Sequence, residues 1–128
     1  MNKKNLQKNL ANDHLIRAEK SLRSAKILLE QGLNEDSISR SYYSIYHSIH
    51  GMLLSIGLTG KTHKGQMHLF YTHFVVTKKI PIELNSKINK VLNARSDADY
   101  GSIPIFNSDD AKEAIDISNE MYDKAVKW

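Results

Sequence analysis

The chain has 128 residues, a length for one domain with a core of its own. Hydrophobic residues make up 41% and charged residues 25%, the balance of a folded soluble protein, and the absence of cysteine excludes disulfides and thiolate metal centres. The net charge of +4 points only weakly to a phosphate-bearing partner, because a few surplus lysines also serve solubility.

No apolar run approaches the ~20 residues of a membrane helix, and residues 1–12 lack the apolar core of a signal peptide. The expectation is a cytoplasmic chain with no membrane contact, with residues 1–12 a flexible polar lead-in and residues 13–128 one helical domain. A first helix is expected over residues 13–31, capped by Asn12 or Asp13. Its stripe is Leu15, Ala18, Leu22, Ala25 and Leu29, and Gly32 stops it.

A second helix follows over residues 35–56, with Asn34 as its cap. Its buried side holds Ile38, Tyr42, Ile45, Ile49, Met52, Leu53 and Ile56. Gly51 inside it either weakens the helix or lets a neighbour approach closely. After a basic loop at residues 58–65, a third helix is expected over 66–78 and a fourth over 81–94, opened by Pro81. Residues 97–107 read as a loop, and Ser108 as the cap of a last helix. No stretch alternates long enough to make a strand. The fold class is all-α, an antiparallel bundle of four to five helices, with the two longest joined as a hairpin.

The most informative stretch is Ser39-Arg40-Ser41-Tyr42-Tyr43-Ser44-Ile45-Tyr46-His47. At ~100° per residue, seven steps return almost to the same angle, so Arg40 and His47 share a face roughly 10 Å apart along the axis. Both can reach one phosphodiester. Arg forks onto phosphate oxygens and stabilises growing negative charge. His titrates near neutrality and can move a proton to or from a ribose 2′-OH or a leaving oxygen. RNA carries its own nucleophile, so this route needs no metal. Ser41, Tyr43 and Ser44 are expected as supporting residues near that face. Tyr43 can stack on a base or hold Arg40. Spacing alone does not separate this from a structural pairing of Arg40 with an acid and a semi-buried His47.

Other clusters are weaker. Lys61, His63 and Lys64 could hold phosphate, or simply form a solvated turn. Arg95, Asp97, Asp99 and Tyr100 read as structural or interface residues, with an acid pairing Arg95 and Tyr100 covering the core. His47 and His50 could be two metal ligands on one helix face, but no acid lies between them, and His68 and His73 are spaced off a common face. No metal and no cofactor are expected.

The run from Arg40 to His47 resembles the R-x(4–6)-H signature of HEPN domains, with six intervening residues. The words Arg-x-Tyr-Tyr-x-x-aromatic-His (40–47), Lys-Thr-His-x-Gly (61–65) and Arg-x-x-Ala-Asp-Tyr (95–100), in that order, resemble the small stand-alone HEPN proteins. The resemblance implies a bundle that dimerises, with Arg40 and His47 of two protomers lining a shared cleft. It also implies either a metal-independent ribonuclease, toxin-like in some members and paired with a small nucleotidyltransferase, or a non-catalytic module binding such a partner, RNA or a nucleotide. One departure bears on activity: Ser41 follows Arg40 where nuclease members usually carry Asn, Asp or His.

Overall fold

A computed structural model of the protein describes residues 3–100 and 106–128, the side chains of residues 4 and 97–100 apart. The helices are α1 (Lys3–Glu30), α2 (Asn34–Ser55), α3 (His63–Phe70), α4 (Ile82–Tyr100) and α5 (Ser108–Lys127), with one π-helical turn, Tyr71–Val75, after α3. The bundle is all-α, and no strand occurs among the described residues.

α2 is the central helix. It packs along α1 on one side and against α5, α4 and α3 on the others. Twelve of its 22 residues are buried, including Ile38, Ile45, Ile49, Met52 and Leu53. These meet Phe70, Phe74, Leu84, Ile88, Val91 and Met121 in one continuous core. Burial on several sides leaves a narrow accessible strip on α2. Arg40 is exposed there, and Tyr43, Tyr46, His47, His50 and Leu54 are half-buried.

The contact between α1 and α2 is made by small residues in a fixed register. On α1 these are Ala11, Ala18 and Ala25, and on α2 Gly51, Ser44 and Ser37. Each step of seven back along α1 is matched by a step of seven forward along α2. The Ser37 hydroxyl donates to the Ala25 carbonyl (2.7 Å) and the Ser44 hydroxyl to the Ala18 carbonyl (2.8 Å). A Cβ on Gly51 would lie 3.1 Å from the Ala11 carbonyl oxygen and 3.3 Å from Leu15 Cδ2. Small side chains let the two backbones approach, and the buried hydroxyls are satisfied by carbonyls across the seam.

Several expected boundaries differ. Residues 3–12, expected as a polar lead-in, are helical and continue α1; Ala11 is buried, although Leu6 and Leu10 stay exposed. Asn34 is the first residue of α2 rather than its cap. Leu33 holds the cap position without a side-chain bond, and the Asn34 amide donates instead to the Phe106 carbonyl (3.1 Å). The third helix starts early, because Thr62 caps it by accepting from Gly65 N–H (2.9 Å). It ends in the π turn, which buries the neighbours Phe74 and Val75 together. α4 runs on through residues 97–100, expected as loop, while residues 101–105 of that loop lie outside the described residues. The cap of α5 is Asn107, which forms a reciprocal capping box with Asp110.

The close seam makes Gly51 the sensitive position. Gly51→Leu is expected to lower stability by ~1–3 kcal/mol through overpacking. This would be read as a lower urea midpoint at unchanged slope; an unchanged midpoint would contradict the tight approach.

Candidate active site

The accessible strip of α2 carries a continuous cluster of rings and guanidinium groups. At its N-terminal end the Arg40 guanidinium lies over the Tyr43 ring, 4.7 Å from the centroid. Arg95, from α4, donates to the Tyr43 hydroxyl (3.0 Å) and lies over the Tyr42 ring at 4.9 Å and the Tyr43 ring at 5.3 Å. Two permanently charged groups therefore meet at one phenol. Tyr43 holds Arg40, one of the two roles open to it from the sequence.

The middle of the cluster is built on His63. Its ring stacks on Tyr46 at 4.2 Å between centroids, and its Nδ1 shares a 2.7 Å hydrogen bond with the Tyr42 hydroxyl. Thr62 caps α3 just before it, so the cap delivers His63 to the strip. Lys61 and Lys64 flank it and are exposed.

At the far end three imidazoles gather. His14 Nδ1 lies 3.0 Å from His47 Nδ1, across the α1–α2 seam. The His14 ring also stacks on His50, 3.9 Å between centroids. His50 Nε2 is 3.3 Å from the Thr59 hydroxyl. Burial, with Arg17, His50, Arg40 and His63 adding to it, holds His47 below the usual histidine range. Burial, then His47 and Arg17, lowers His14, while Asp13 opposes. Burial and then His14 push His50 down to about 4. At neutral pH these rings are uncharged. A neutral His47 beside Arg17 and Arg40 can accept a proton, and the fixed guanidiniums favour an anionic substrate.

Not every expected residue reaches this face. Ser41 and Ser44 are fully buried. The Ser41 carbonyl accepts from the Ser118 hydroxyl of α5, and Ser44 donates across the seam. Neither touches the strip, because α2 is covered on more than one side and small hydroxyl residues fill those contacts. Arg95 belongs to the site rather than to an acidic pair alone, since its guanidinium sits on the two tyrosines. The side chains of Asp97, Asp99 and Tyr100 lie outside the described residues. His68 is exposed and His73 half-buried, on segments beyond the cluster. Among the described residues no group of three or more His, Cys, Asp or Glu could hold a metal ion; His14 and His50 stack instead of converging. Among them too, no helix is long and apolar enough to cross a membrane.

His14 is the residue that motif reading passes over. It lies 33 positions from His47, and nothing local ties them. The signal was the heptad of small residues on both helices, whose antiparallel register sets position 14 beside position 47.

The fold and the site together define a class of protein: a helical bundle whose central helix carries an Arg/His strip. The HEPN domain model matches residues 11–128, and the chain belongs to that family. It is similar to the UPF0332 protein glr0978 of Gloeobacter violaceus, 36% identical over 89 residues, 70% of this chain and 71% of the relative. It is also similar to a Methanocaldococcus jannaschii protein named "Putative toxin MJ0605". That match is 34% identical over 110 residues, 86% of this chain and 81% of the relative. A UPF0332 protein of Thermotoga maritima is 31% identical over 99 residues, 77% and 75% of the two chains. The relatives agree with the small stand-alone branch that the three sequence words resemble.

The lowered histidines make stability pH-dependent. A pKa lower in the folded than in the unfolded state, where it is ~6.5, means the unfolded chain binds more protons. The contribution is intact above ~6.5 and is lost as pH falls toward the folded value, about 4 for His50. The melting temperature is therefore expected to fall between pH 7.5 and 5. His50→Gln, which keeps a polar tip for Thr59 without titrating, should flatten that fall. A profile identical in both proteins would refute the assignment.

Proposed function

We propose that this chain is an RNA-directed HEPN protein that cleaves RNA without a metal, using Arg40 and His47. The observation that carries the reading is His47 itself. It is half-buried, held at Nδ1, shifted toward its neutral form, and within electrostatic reach of the cations Arg17 and Arg40. The name of the Methanocaldococcus relative supports a toxin-like role, which would suit an enzyme acting on cellular RNA.

In this reading Arg40 grips the scissile phosphate and stabilises the charge that grows on it. His47 Nε2 takes the proton of the ribose 2′-OH. The 2′-oxygen bonds to phosphorus, the bond from phosphorus to the 5′-oxygen breaks, and that oxygen takes a proton from water. The products are a 2′,3′-cyclic phosphate and a 5′-hydroxyl, and His47 returns its proton to solvent. Tyr43 holds Arg40 for that grip, and Lys61, His63, Lys64 and Arg95 add positive or hydrogen-bonding groups along the strip. The strips of two protomers facing one another would double these groups around one RNA strand.

Incubation of the purified chain with mixed RNA in excess chelator tests this. Cleavage is expected to fall ~10²- to 10³-fold in Arg40→Ala and ~10²- to 10⁴-fold in His47→Ala. Activity is also expected to fall below the His47 pKa, as the base becomes protonated. Intact RNA with the wild-type protein would reject catalysis. Retained binding of nucleotide or of a nucleotidyltransferase protein would then favour a non-catalytic module.

A further inference from the structure

His14 and His47 approach nitrogen to nitrogen at 3.0 Å. Two bare lone pairs do not sit at that distance, so one of the two nitrogens carries a proton and donates it to the other. Which nitrogen holds that proton decides what His47 can do. With the proton on His47 Nδ1, its Nε2 keeps a lone pair and is a base. With the proton on His14, His47 carries its proton on Nε2 and cannot accept one there.

Only the first arrangement leaves His47 the free Nε2 that the proposed cleavage uses, and in it His14 Nδ1 is the acceptor. The groups acting on the pair are Asp13 and Arg17 from α1, Arg40 and His50 from α2, and His63 from α3, with Tyr46 in ring contact with His47. His14 is itself fixed in place by stacking on His50 and by its position on the rigid seam.

We propose that His14 is a positioning residue for His47: it accepts the His47 Nδ1 proton and holds His47 in the tautomer whose Nε2 is free to act as a base. The proposal rests on the ribonuclease reading for the direction of the bond and its consequence, and on the 3.0 Å contact for the pairing itself. When Nε2 takes the 2′-OH proton, the imidazolium keeps its Nδ1–H bond to His14. The pair then titrates as one unit rather than as two separate histidines.

The test is long-range ¹H–¹⁵N NMR of the full chain labelled at histidine, without RNA, alongside cleavage at a series of pH values. Wild-type His47 is expected as the Nδ1–H tautomer at pH 7.5. His14→Leu should move it toward the Nε2–H form, lower its pKa, and reduce kcat on the order of tenfold with little change in KM. His14→Asn places an amide where Nδ1 was and should restore the tautomer and the pH profile. A wild-type His47 in the Nε2–H form overturns the proposal. So does a His47 tautomer unchanged in a His14→Leu protein that melts like the wild type. If the wild type cleaves no RNA, the ribonuclease reading fails, and the NMR arm still decides the pair by itself.

Discussion

The close approach of α1 and α2 governs the rest of the molecule. It depends on Ala11, Ala18 and Ala25 facing Gly51, Ser44 and Ser37, with two serine hydroxyls bonded to α1 carbonyls. Residues of this size leave no ridge over which one helix can ride, so the axes come near and the register is set at three points. α2 can then be buried on one side by α1 and on others by α5, α4 and α3, which confines its solvent access to a strip. The strip is where Arg40, Tyr43, Tyr46, His47 and His50 lie. Position within the fold and chemical character coincide there.

The electrostatics follow from the same packing. Partial burial drives the imidazoles toward their neutral forms; Arg17 drives His14 and His47 further, and His14 does the same to His50. Arg40 and Arg95 keep their charge whatever their surroundings and rest on tyrosine faces that restrain them without neutralising them. The strip thus holds permanent positive charge at one end and proton-accepting rings at the other.

The helices, the hairpin and the Arg40–His47 face could all be read from periodicity and spacing, because each is a local property of one helix. Gly51 was legible only as a choice between a weak point in the helix and a point of close approach, and the Ala11 carbonyl beside it decides for the second. The inward turn of Ser41 and Ser44 was not. A helical wheel assigns polar residues to solvent, whereas these are buried, Ser44 by donating to a carbonyl across the seam. Helix ends moved for a related reason: Asn34, Asn107 and Thr62 choose partners offered by tertiary neighbours or the adjoining turn. His14 was invisible because its meaning depends on the pairing of two helices. The small residues at seven-residue steps that encode that pairing look, one helix at a time, like ordinary small-residue content.

The make-up of the seam also bears on how little freedom the site has to surrender. Ordering long side chains at a helix contact costs up to ~2 kcal/mol each in rotamer entropy, while alanine and glycine have none to lose. A seam held by Ala11, Ala18, Ala25 and Gly51 is therefore set chiefly by backbone geometry. His14 and His47 inherit that rigidity from the main chain to which they are attached, and folding alone brings their two nitrogens to hydrogen-bonding distance.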